Sequence, residues 1–448
     1  MFDTAESPSS GLPGQPAHFV EVSEGPSAGS RRGRPQRAPR PRHWKRAASE
    51  NLLSNFIPFS SMVSPHDVIT RGGDYLRVWR LDGVAFECAD EHTIVDRHEA
   101  KCSLLRNLAG GQFAIWEHRL HRHIDDRLQE PQEPGFARDL ARAYAQSMQR
   151  HRLMSNELYL TLLYRPTTSK VARAMQASRR TRAEIAEGHA EAMRVMEEKT
   201  ALIERVMRAY GPTLLGTEDR RGQSYSEVAE FLGYLVNGVW RPVPVHAGPL
   251  YRTLPVSRLS FGLDKLEIRH GDERRFAALV DIQEYADAVQ PGVLNALLYE
   301  PSEFIETHSF SILPRRDAMR ALERQRDQLI ASEDVVQSQI ADMDVALNEL
   351  GDGQFCMGEY HYSLVMLGTS AKDAGQRAAQ AIGAIGESSS IQMRPVDLVA
   401  DAAWFAQWPG NWTWRPRQAQ LSSRPTPRCR PATISPAASA TATPGARR

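Results

Sequence analysis

Cysteine is scarce in this sequence: four of the 448 residues are cysteine, and no two have the short spacing of a zinc site. They imply no framework of disulfide bridges, which favours a reducing compartment. They are Cys88, Cys102, Cys356 and Cys429. No apolar run approaches the roughly 20 residues that a membrane-spanning helix needs, and residues 1–30 lack a basic-then-apolar signal pattern. We expect a cytoplasmic protein, peripherally associated with a membrane at most.

An excess of charge of either sign is also lacking. Lysine and arginine number 55, aspartate and glutamate 54, and the net charge is +1. This balance gives no global argument for nucleic acid or an anionic membrane as the partner. Hydrophobic residues make up 41% of the chain and charged residues 24%, which is ordinary for a globular protein. The length is sufficient for two or three domains.

The glycine-rich loop that cradles nucleotide phosphates, G-x-x-x-x-G-K-[ST], does not occur in the sequence. The dipeptide Gly-Lys does not occur at all. The nearest approach is Gly368-Thr-Ser-Ala-Lys372, which lacks the second glycine before the lysine. It also has Asp373 where a serine or threonine would bind magnesium. We predict no catalytic and no cofactor-binding residue in this chain.

Two terminal segments are predicted to be disordered, because they contain too few large aliphatic residues to offset the entropy of ordering. The first is residues 1–48, with a basic stretch from Arg31 to Arg46. That stretch is either a contact for anionic lipid or nucleic acid, or a solvated tail, or the product of a start codon placed too early. The second is residues 424–448, whose composition resembles a GC-rich gene read out of frame. Our hypothesis there is a natural truncation, a frameshift near Arg424, or a pseudogene.

Between these tails the hydrophobic pattern predicts an α+β fold with two split βαβ-like subdomains and antiparallel sheets. The first subdomain covers residues 50–167, where 75–81 alternates like a half-buried strand and 158–164 is a continuous apolar strand. The second covers 251–423, with a similar order of strands and helices. Residues 168–250 form a helical connector. Long helices are expected between and within the subdomains.

One long helix is predicted over residues 315–350 from a seven-residue repeat. The repeating positions, Leu322, Leu329, Val336, Met343 and Leu350, form a candidate coiled-coil seam. A helix of this length would span about 54 Å at 1.5 Å per residue, so part of it should pack on a partner helix. The partner is either internal, through an apolar stripe at 185–210, or a helix of another molecule.

Four tryptophans, Trp404, Trp408, Trp412 and Trp414, fall within a short segment near the carboxyl end. Aromatic side chains at such density anchor one surface on another, because each buries a large area. We predict one of two roles. The segment forms a contact between domains or with a partner, or it forms simple core packing. The two interpretations are compatible if the buried contact lies between domains.

Three histidines, His118, His121 and His123, lie close together in a predicted strand. His121 and His123 would share a face, but no carboxylate or cysteine stands beside them at ligand spacing. A solvated or stacked basic face is therefore favoured over a metal site, and we predict no metal.

Several segments resemble the CagE/TrbE/VirB family of type IV secretion ATPases. They occur in the family's order and cover about residues 50 to 423. The segments are Ile57-Pro-Phe-Ser60 with Asp74-Tyr-Leu-Arg-Val-Trp-Arg-Leu-Asp-Gly83; Asn156-Glu-Leu-Tyr-Leu-Thr-Leu-Leu-Tyr-Arg-Pro166; Ser309-Phe310; Gly358-Glu-Tyr-His-Tyr-Ser-Leu-Val-Met366; and Ala403-Trp-Phe-Ala-Gln-Trp-Pro-Gly-Asn411 with Arg415-Pro416.

The resemblance implies the amino-terminal, non-motor part of a cytoplasmic, inner-membrane-associated ATPase that energises type IV secretion or conjugative transfer. Full-length members use ATP and Mg²⁺ in a RecA-like domain, whereas this chain carries no such loop, so it is expected to be inactive alone. Its partners would be inner-membrane and cytoplasmic components of the secretion machine, together with self-association.

Three alternatives remain beside this docking and assembly role. The chain could be half of a split ATPase completed by a separately encoded motor. It could be a non-functional remnant of a mobile element. The basic tail could instead make it a nucleic-acid-binding protein, which would show as a strong salt dependence of binding.

Overall fold

The computed structural model describes residues 51–84, 89–124, 135–148, 153–167, 181–285, 292–331, 337–415 and 420–422. The tails predicted at 1–48 and 424–448 lie outside the described residues. Among the described helices, none combines the length and the apolar character that crossing a bilayer requires.

The strands and helices alternate along the chain as an α+β sequence does. The strands are β1 Phe59–Met62, β2 Asp67–Thr70, β3 Tyr75–Leu81, β4 Phe113–His123, β5 Met154–Tyr164, β6 Pro212–Leu214, β7 Thr217–Arg220, β8 Gln223–Ser226, β9 Arg258–Phe261, β10 Lys265–His270, β11 Glu273–Glu284, β12 Phe304–Ile312, β13 Met357–Gly368, β14 Gln392–Pro395 and β15 Gln420–Ser422. The helices are α1 Glu91–Asn107, α2 Phe136–Met148, α3 Arg182–Val206, α4 Glu227–Asn237, α5 Leu250–Thr253, α6 Arg315–Ala331, α7 Gln337–Gly351, α8 Ala371–Ser388 and α9 Ala400–Ala406.

One large antiparallel sheet runs through the molecule in the order β1-β2-β3-β5-β4-β12-β13-β11-β10-β9, with β6, β14 and β15 paired at its sides. The strands of both predicted subdomains lie in this sheet, and β4 joins β12 through a register from Ala114↔Ser311 to His121↔Phe304. The predicted α+β class with antiparallel pairing is confirmed.

The sheet is covered on both faces, so its central strands are buried almost throughout, as all nine residues of β12 are. One face packs on α1, α3 and α8, and the other packs on α4, α5 and the α9 segment. Local signals start and stop these helices. Thr181 and Glu184 form a capping box at the start of α3. Gly238, at φ +67°, ends α4 in the left-handed conformation that glycine adopts without strain.

The prediction of a single helix over residues 315–350 is wrong. The stretch forms two helices, α6 and α7, that fold back on one another, and Arg326 of α6 bridges Asp344 of α7 at 3.2 Å. Leu322, Met343 and Leu350 are buried in their shared cluster and Leu329 is partly buried against it, whereas Val336 lies outside the described residues. A seven-residue repeat is also what two antiparallel helices need to face each other, which explains the pattern.

The apolar stripe at 185–210 does not pair with the 315–350 stretch. Ala192, Met196 and Ile203 of α3 lie in the core beneath the sheet, where α3 packs beside α1. Ile185, near the start of α3, is 55% exposed. The described seam residues, Leu322, Leu329, Met343 and Leu350, thus pack inside the chain, within the hairpin of α6 and α7.

Candidate functional site

The tryptophan segment is bound to the sheet and to α4. Trp404 and Trp408 are fully buried, at 0% exposure. The indole Nε1–H of Trp408 donates to the carbonyl oxygen of Leu235 at 2.9 Å. That carbonyl lies in the last turn of α4, where carbonyl groups have no partner inside their own helix. The tryptophan therefore completes the hydrogen bonding of a helix that comes much earlier in the chain.

Beyond Gly410, which turns the chain at φ +81°, the remaining two tryptophans pack against the same hydrophobic cluster as Trp404 and Trp408. Trp412 donates from Nε1 to Asp74 Oδ2 at 2.7 Å and packs edge-on to Trp116, with ring centroids 5.0 Å apart. Trp414 packs edge-on to Phe56 at 5.4 Å. Both are only partly buried. Trp412 and Trp414 thus contact residues of the predicted first subdomain, while contact with a further domain or a partner stays a prediction.

Arg415 closes this segment onto the second half of the sheet. Its guanidinium lies over the rings of Trp116 and Trp412, at 5.7 and 5.4 Å, and donates to Ser311 Oγ at 2.7 Å. It also donates to Glu359 Oε2 at 3.2 Å. Burial lowers the pKa of Arg415 to about 10, so the side chain remains a cation at neutral pH. Arginine held between aromatic rings and a carboxylate fixes the carboxyl end of the segment.

A buried polar network lies on the opposite face of the central strands. Arg119 of β4 forms a salt bridge with Glu306 of β12, and both side chains are almost wholly buried. Tyr362 donates its hydroxyl to Glu306 Oε1 at 3.1 Å, and the Tyr360 hydroxyl lies 2.7 Å from His308 Nδ1. Burial by itself raises the pKa of Glu306, but Arg119 and His308 outweigh it and lower that pKa to about 2. The network holds one carboxylate ionised inside the sheet.

The sequence analysis missed this network. The available signal was one charged residue inside each of two predicted strands, Arg119 in β4 and Glu306 in β12. Nothing in the sequence says that these two strands are neighbours, since β4 and β12 belong to separate predicted subdomains. The chemistry of the network is that of a structural ion pair.

The three histidines have different surroundings. His118 is buried and donates from Nε2 to the carbonyl oxygen of Gln407 at 2.8 Å, and burial lowers the pKa of His118 to about 4. His121 stacks on Phe304 with ring centroids 4.8 Å apart, while its Nδ1 lies 2.7 Å from Asn156 Oδ1. His123 is exposed. In the part of the chain that the structure describes, no three histidine, cysteine, aspartate or glutamate side chains are grouped to hold a metal ion.

The loop closest to a phosphate-binding sequence joins β13 to α8, as a strand-to-helix phosphate loop would. Its amino-terminal donors are already used inside the chain. Thr369 donates from its backbone N–H and its hydroxyl to Asp373 Oδ2 at 2.8 and 3.1 Å, and Ser370 caps the helix by accepting from the Asp373 N–H. Arg377 donates to the other carboxylate oxygen at 2.8 Å. The chain's own carboxylate therefore stands where a phosphate would have to bind.

We predict that the purified chain neither binds nor hydrolyses ATP in the presence of Mg²⁺. The reason is that a bound phosphate would meet the Asp373 carboxylate at the amino end of α8. Equilibrium binding of a fluorescent ATP analogue and release of inorganic phosphate measure the two quantities. Turnover that persists through further purification and is lost in a Lys372→Ala variant would contradict the prediction.

Helix α2 presents an apolar ridge to solvent. It falls in the chain between β4 and β5, whose pairing ends at His123↔Met154. Phe136, Leu140 and Tyr144 recur every four residues and are 81, 56 and 51% exposed. The half-buried residues of the helix are Arg138, Ala141 and Ala145. No α2 residue belongs to the hydrophobic clusters formed by the described residues. The helix thus turns its large apolar side chains outward.

Comparison with known proteins finds two family models along this chain. The model for the N-terminal domain of the type IV secretion system ATPase VirB4/TrbE matches residues 66–172. The model for the CagE, TrbE, VirB family, component of type IV transporter system, matches residues 213–417. The two matches include the strands at the centre of the sheet, the α2 ridge and the tryptophan segment.

Curated relatives match over most of the chain. A type IV secretion system protein PtlC homolog of Bordetella bronchiseptica is 38% identical over 385 residues, which are 84% of this chain and 46% of the relative. The type IV secretion system protein virB4 of Brucella abortus is 37% identical over 383 residues, with the same two coverages. The virB4 protein of Bartonella henselae is 30% identical over 378 residues, 84% of this chain and 48% of the relative. The chain spans about half the length of the curated relatives it matches.

Proposed function

Because this chain belongs to the CagE, TrbE, VirB family of type IV transporter components, we propose that it is the docking and assembly module of a type IV secretion ATPase. In this role it works at the cytoplasmic side of the inner membrane without crossing it. It binds inner-membrane and cytoplasmic components of the secretion machine. ATP and Mg²⁺ belong to the chemistry of the full-length family, outside the residues that the structure describes.

The observation that carries the proposal is the α2 ridge. Single exposed apolar residues are ordinary on a protein surface, but three large ones aligned on one helix face mark an interaction site. The ridge lies on a helix between two long strands, β4 and β5, that belong to the centre of the sheet.

The proposal predicts that the ridge is needed to capture secretion partners. The tagged chain would be produced in cells that carry a complete type IV secretion locus, and captured from membranes dissolved in mild detergent. We expect the wild-type chain to retain inner-membrane proteins encoded by that locus, identified by mass spectrometry. A Phe136→Ser/Leu140→Ser variant should retain about tenfold less, which corresponds to the loss of two exposed apolar contacts.

A Val345→Ser variant is the matched control. Val345 is 48% exposed on α7, so the substitution removes a comparable apolar group from a different surface. Thermal unfolding of all three proteins should agree closely, since exposed substitutions change stability by only about 0.5 kcal/mol. Equal capture by the ridge variant and the control would show that the ridge takes no part in docking. Failure of the wild-type chain to capture any locus-encoded protein would contradict the docking function itself.

A further inference from the structure

Strand β9 ends the sheet with an open edge. Among the described strands it pairs with β10 alone, from Arg269↔Arg258 to Leu266↔Phe261. Its four residues are mostly exposed, and only Leu259 is partly buried. The backbone groups on the outer side of such a strand form a ready template for one more strand. An exposed edge of this kind can accept an extended segment of another protein.

An apolar patch adjoins the end of β9. Leu263, in the turn after β9, is 73% exposed, and Leu398 and Val399 are 77 and 55% exposed. Leu398 meets Leu263 directly, because its N–H donates to the Leu263 carbonyl oxygen at 2.7 Å. Large aliphatic side chains grouped at a free strand edge form a surface that water solvates poorly. We call β9 together with Leu263, Leu398 and Val399 the β9 edge surface.

Leu398 has a strained backbone that keeps its side chain in this patch. Its φ is +58°, in the left-handed region that a branched side chain rarely adopts. The neighbouring Val396 N–H donates to the Leu279 carbonyl oxygen at 2.8 Å, so the turn is held from both sides. Strain of this kind persists where the surrounding structure enforces it, and it concentrates at functional sites. The strained leucine is an observation independent of the open edge.

Charged residues on one face of β9 and its neighbours determine which side chains a bound strand needs. Arg258, Arg269 and Arg274 stand in register across β9, β10 and β11. Lys265 and Glu267 lie on the same face. Glu267 pairs with Arg269 at 2.7 Å and Lys265 pairs with Asp264 at 2.6 Å, so cations remain in excess there. The other face of β9 carries Leu259 and Phe261, and the Phe261 ring packs on Phe405 at 5.4 Å. A strand laid beside β9 would therefore need acidic side chains on one face and apolar side chains on the other.

We propose that the β9 edge surface binds an extended segment of a partner protein, in which acidic and apolar residues alternate, as an added strand of the sheet. A second copy of this chain is a poor occupant. Two β9 strands joined antiparallel into one sheet would place both cationic faces on the same side, and the like charges would repel. This inference deepens the docking function proposed above and rests on it for the expectation of a protein partner.

The test uses the purified chain and two labelled peptides of about eight residues, close to the length of one strand. One peptide alternates valine with glutamate, and the other alternates valine with lysine. We expect the first to bind at least about tenfold more tightly by fluorescence anisotropy. Hydrogen exchange of the amides of Arg258–Phe261 should slow on binding, because a new ladder protects them. A Leu263→Ser/Leu398→Gly variant should bind the first peptide about tenfold more weakly.

An Arg258→Glu variant should lose most of its preference for the glutamate peptide, and Val345→Ser should bind like the wild type. Equal binding of both peptides, or binding without slower exchange in β9, would overturn the proposal. Slower exchange in β9 that depends on protein concentration without peptide would overturn it in favour of a second copy. Peptide binding needs no secretion component, so it can succeed or fail independently of the capture experiment on the α2 ridge.

Discussion

An Arg119→Met variant is expected to lose about 3–5 kcal/mol of unfolding free energy at neutral pH, the usual cost of breaking a buried ion pair from one side. Glu306 has no exposed surface, and Arg119 supplies the main charge that holds it ionised. Methionine fills a similar volume, so the loss would come from the uncompensated carboxylate more than from a cavity. Urea unfolding followed by far-ultraviolet circular dichroism measures the change.

A double variant separates charge from packing. Replacing Glu306 by leucine in the Arg119→Met background removes the orphaned carboxylate, and exchange of a buried ion pair for apolar residues is often neutral or stabilising. We therefore expect the double variant to recover most of the lost free energy. If the double variant is as unstable as the single one, packing around β4 and β12 matters and the ion pair does not. An Arg326→Met variant breaks an exposed pair with Asp344 and should cost less than about 1 kcal/mol.

The pH dependence of the same variant gives a second readout. In the wild type the pKa of Glu306 is lowered from 4.5 to about 2, so its contribution is present above about pH 4.5 and lost as the pH falls to about 2. Without Arg119, the pKa of Glu306 is higher than in the wild type, because burial is opposed by fewer positive charges, and the carboxyl takes up a proton more readily on acidification. The deficit of Arg119→Met relative to the wild type should therefore shrink as the pH falls. A constant deficit would contradict the charge argument.

Elements with a strong local pattern could be predicted from the sequence. The strand predicted at 75–81 is β3, and the continuous apolar strand predicted at 158–164 lies within β5. The half-buried character expected of 75–81 is wrong, because six of the seven residues of β3 are buried. The continuous apolar pattern of 158–164 does match a strand that is buried on both faces, since residues 159–164 are buried. The pairing of β4 with β12 could not be predicted, because it depends on residues far apart in the chain with no local signal.

Periodicity also does not show whether a helix face is buried or exposed. Leu140 and Tyr144 lie four residues apart on one face of α2, but a repeat of apolar residues is the same whether that face is buried or exposed. Only the structure shows that the ridge points to solvent. The seven-residue repeat at 315–350 is ambiguous in the same way, since it fits one long helix or two that fold back.

The sequence indicates burial of the tryptophan segment but not the partial exposure of two of the four tryptophans. Their density indicates a buried anchor, and the structure does place Trp404 and Trp408 in the core. The sequence does not distinguish these two from Trp412 and Trp414, which stay partly exposed. The difference arises at Gly410, where the chain leaves the α9 segment and reaches the surface near Asp74.

This difference predicts a graded response to alanine. Trp408→Ala should lower the unfolding free energy by about 3–5 kcal/mol, because it leaves a cavity in a fully packed site. Trp408→Phe should cost about 1–3 kcal/mol, since it leaves the Leu235 carbonyl buried without its donor. Trp414→Ala removes a partly exposed ring and should cost clearly less than Trp408→Ala. Denaturant unfolding followed by circular dichroism avoids the loss of the tryptophan fluorescence signal.

The same variants separate packing from docking. If the segment serves only as an anchor within the chain, Trp414→Ala should reduce the capture of secretion partners no more than Val345→Ser does. If its exposed part also touches a partner, capture should fall about tenfold in Trp414→Ala while stability changes little. Equal destabilisation by Trp408→Ala and Trp414→Ala would contradict the burial difference on which both expectations rest. The role of the segment is thus decided by its exposed tryptophan, because the buried pair is required for the fold in either case.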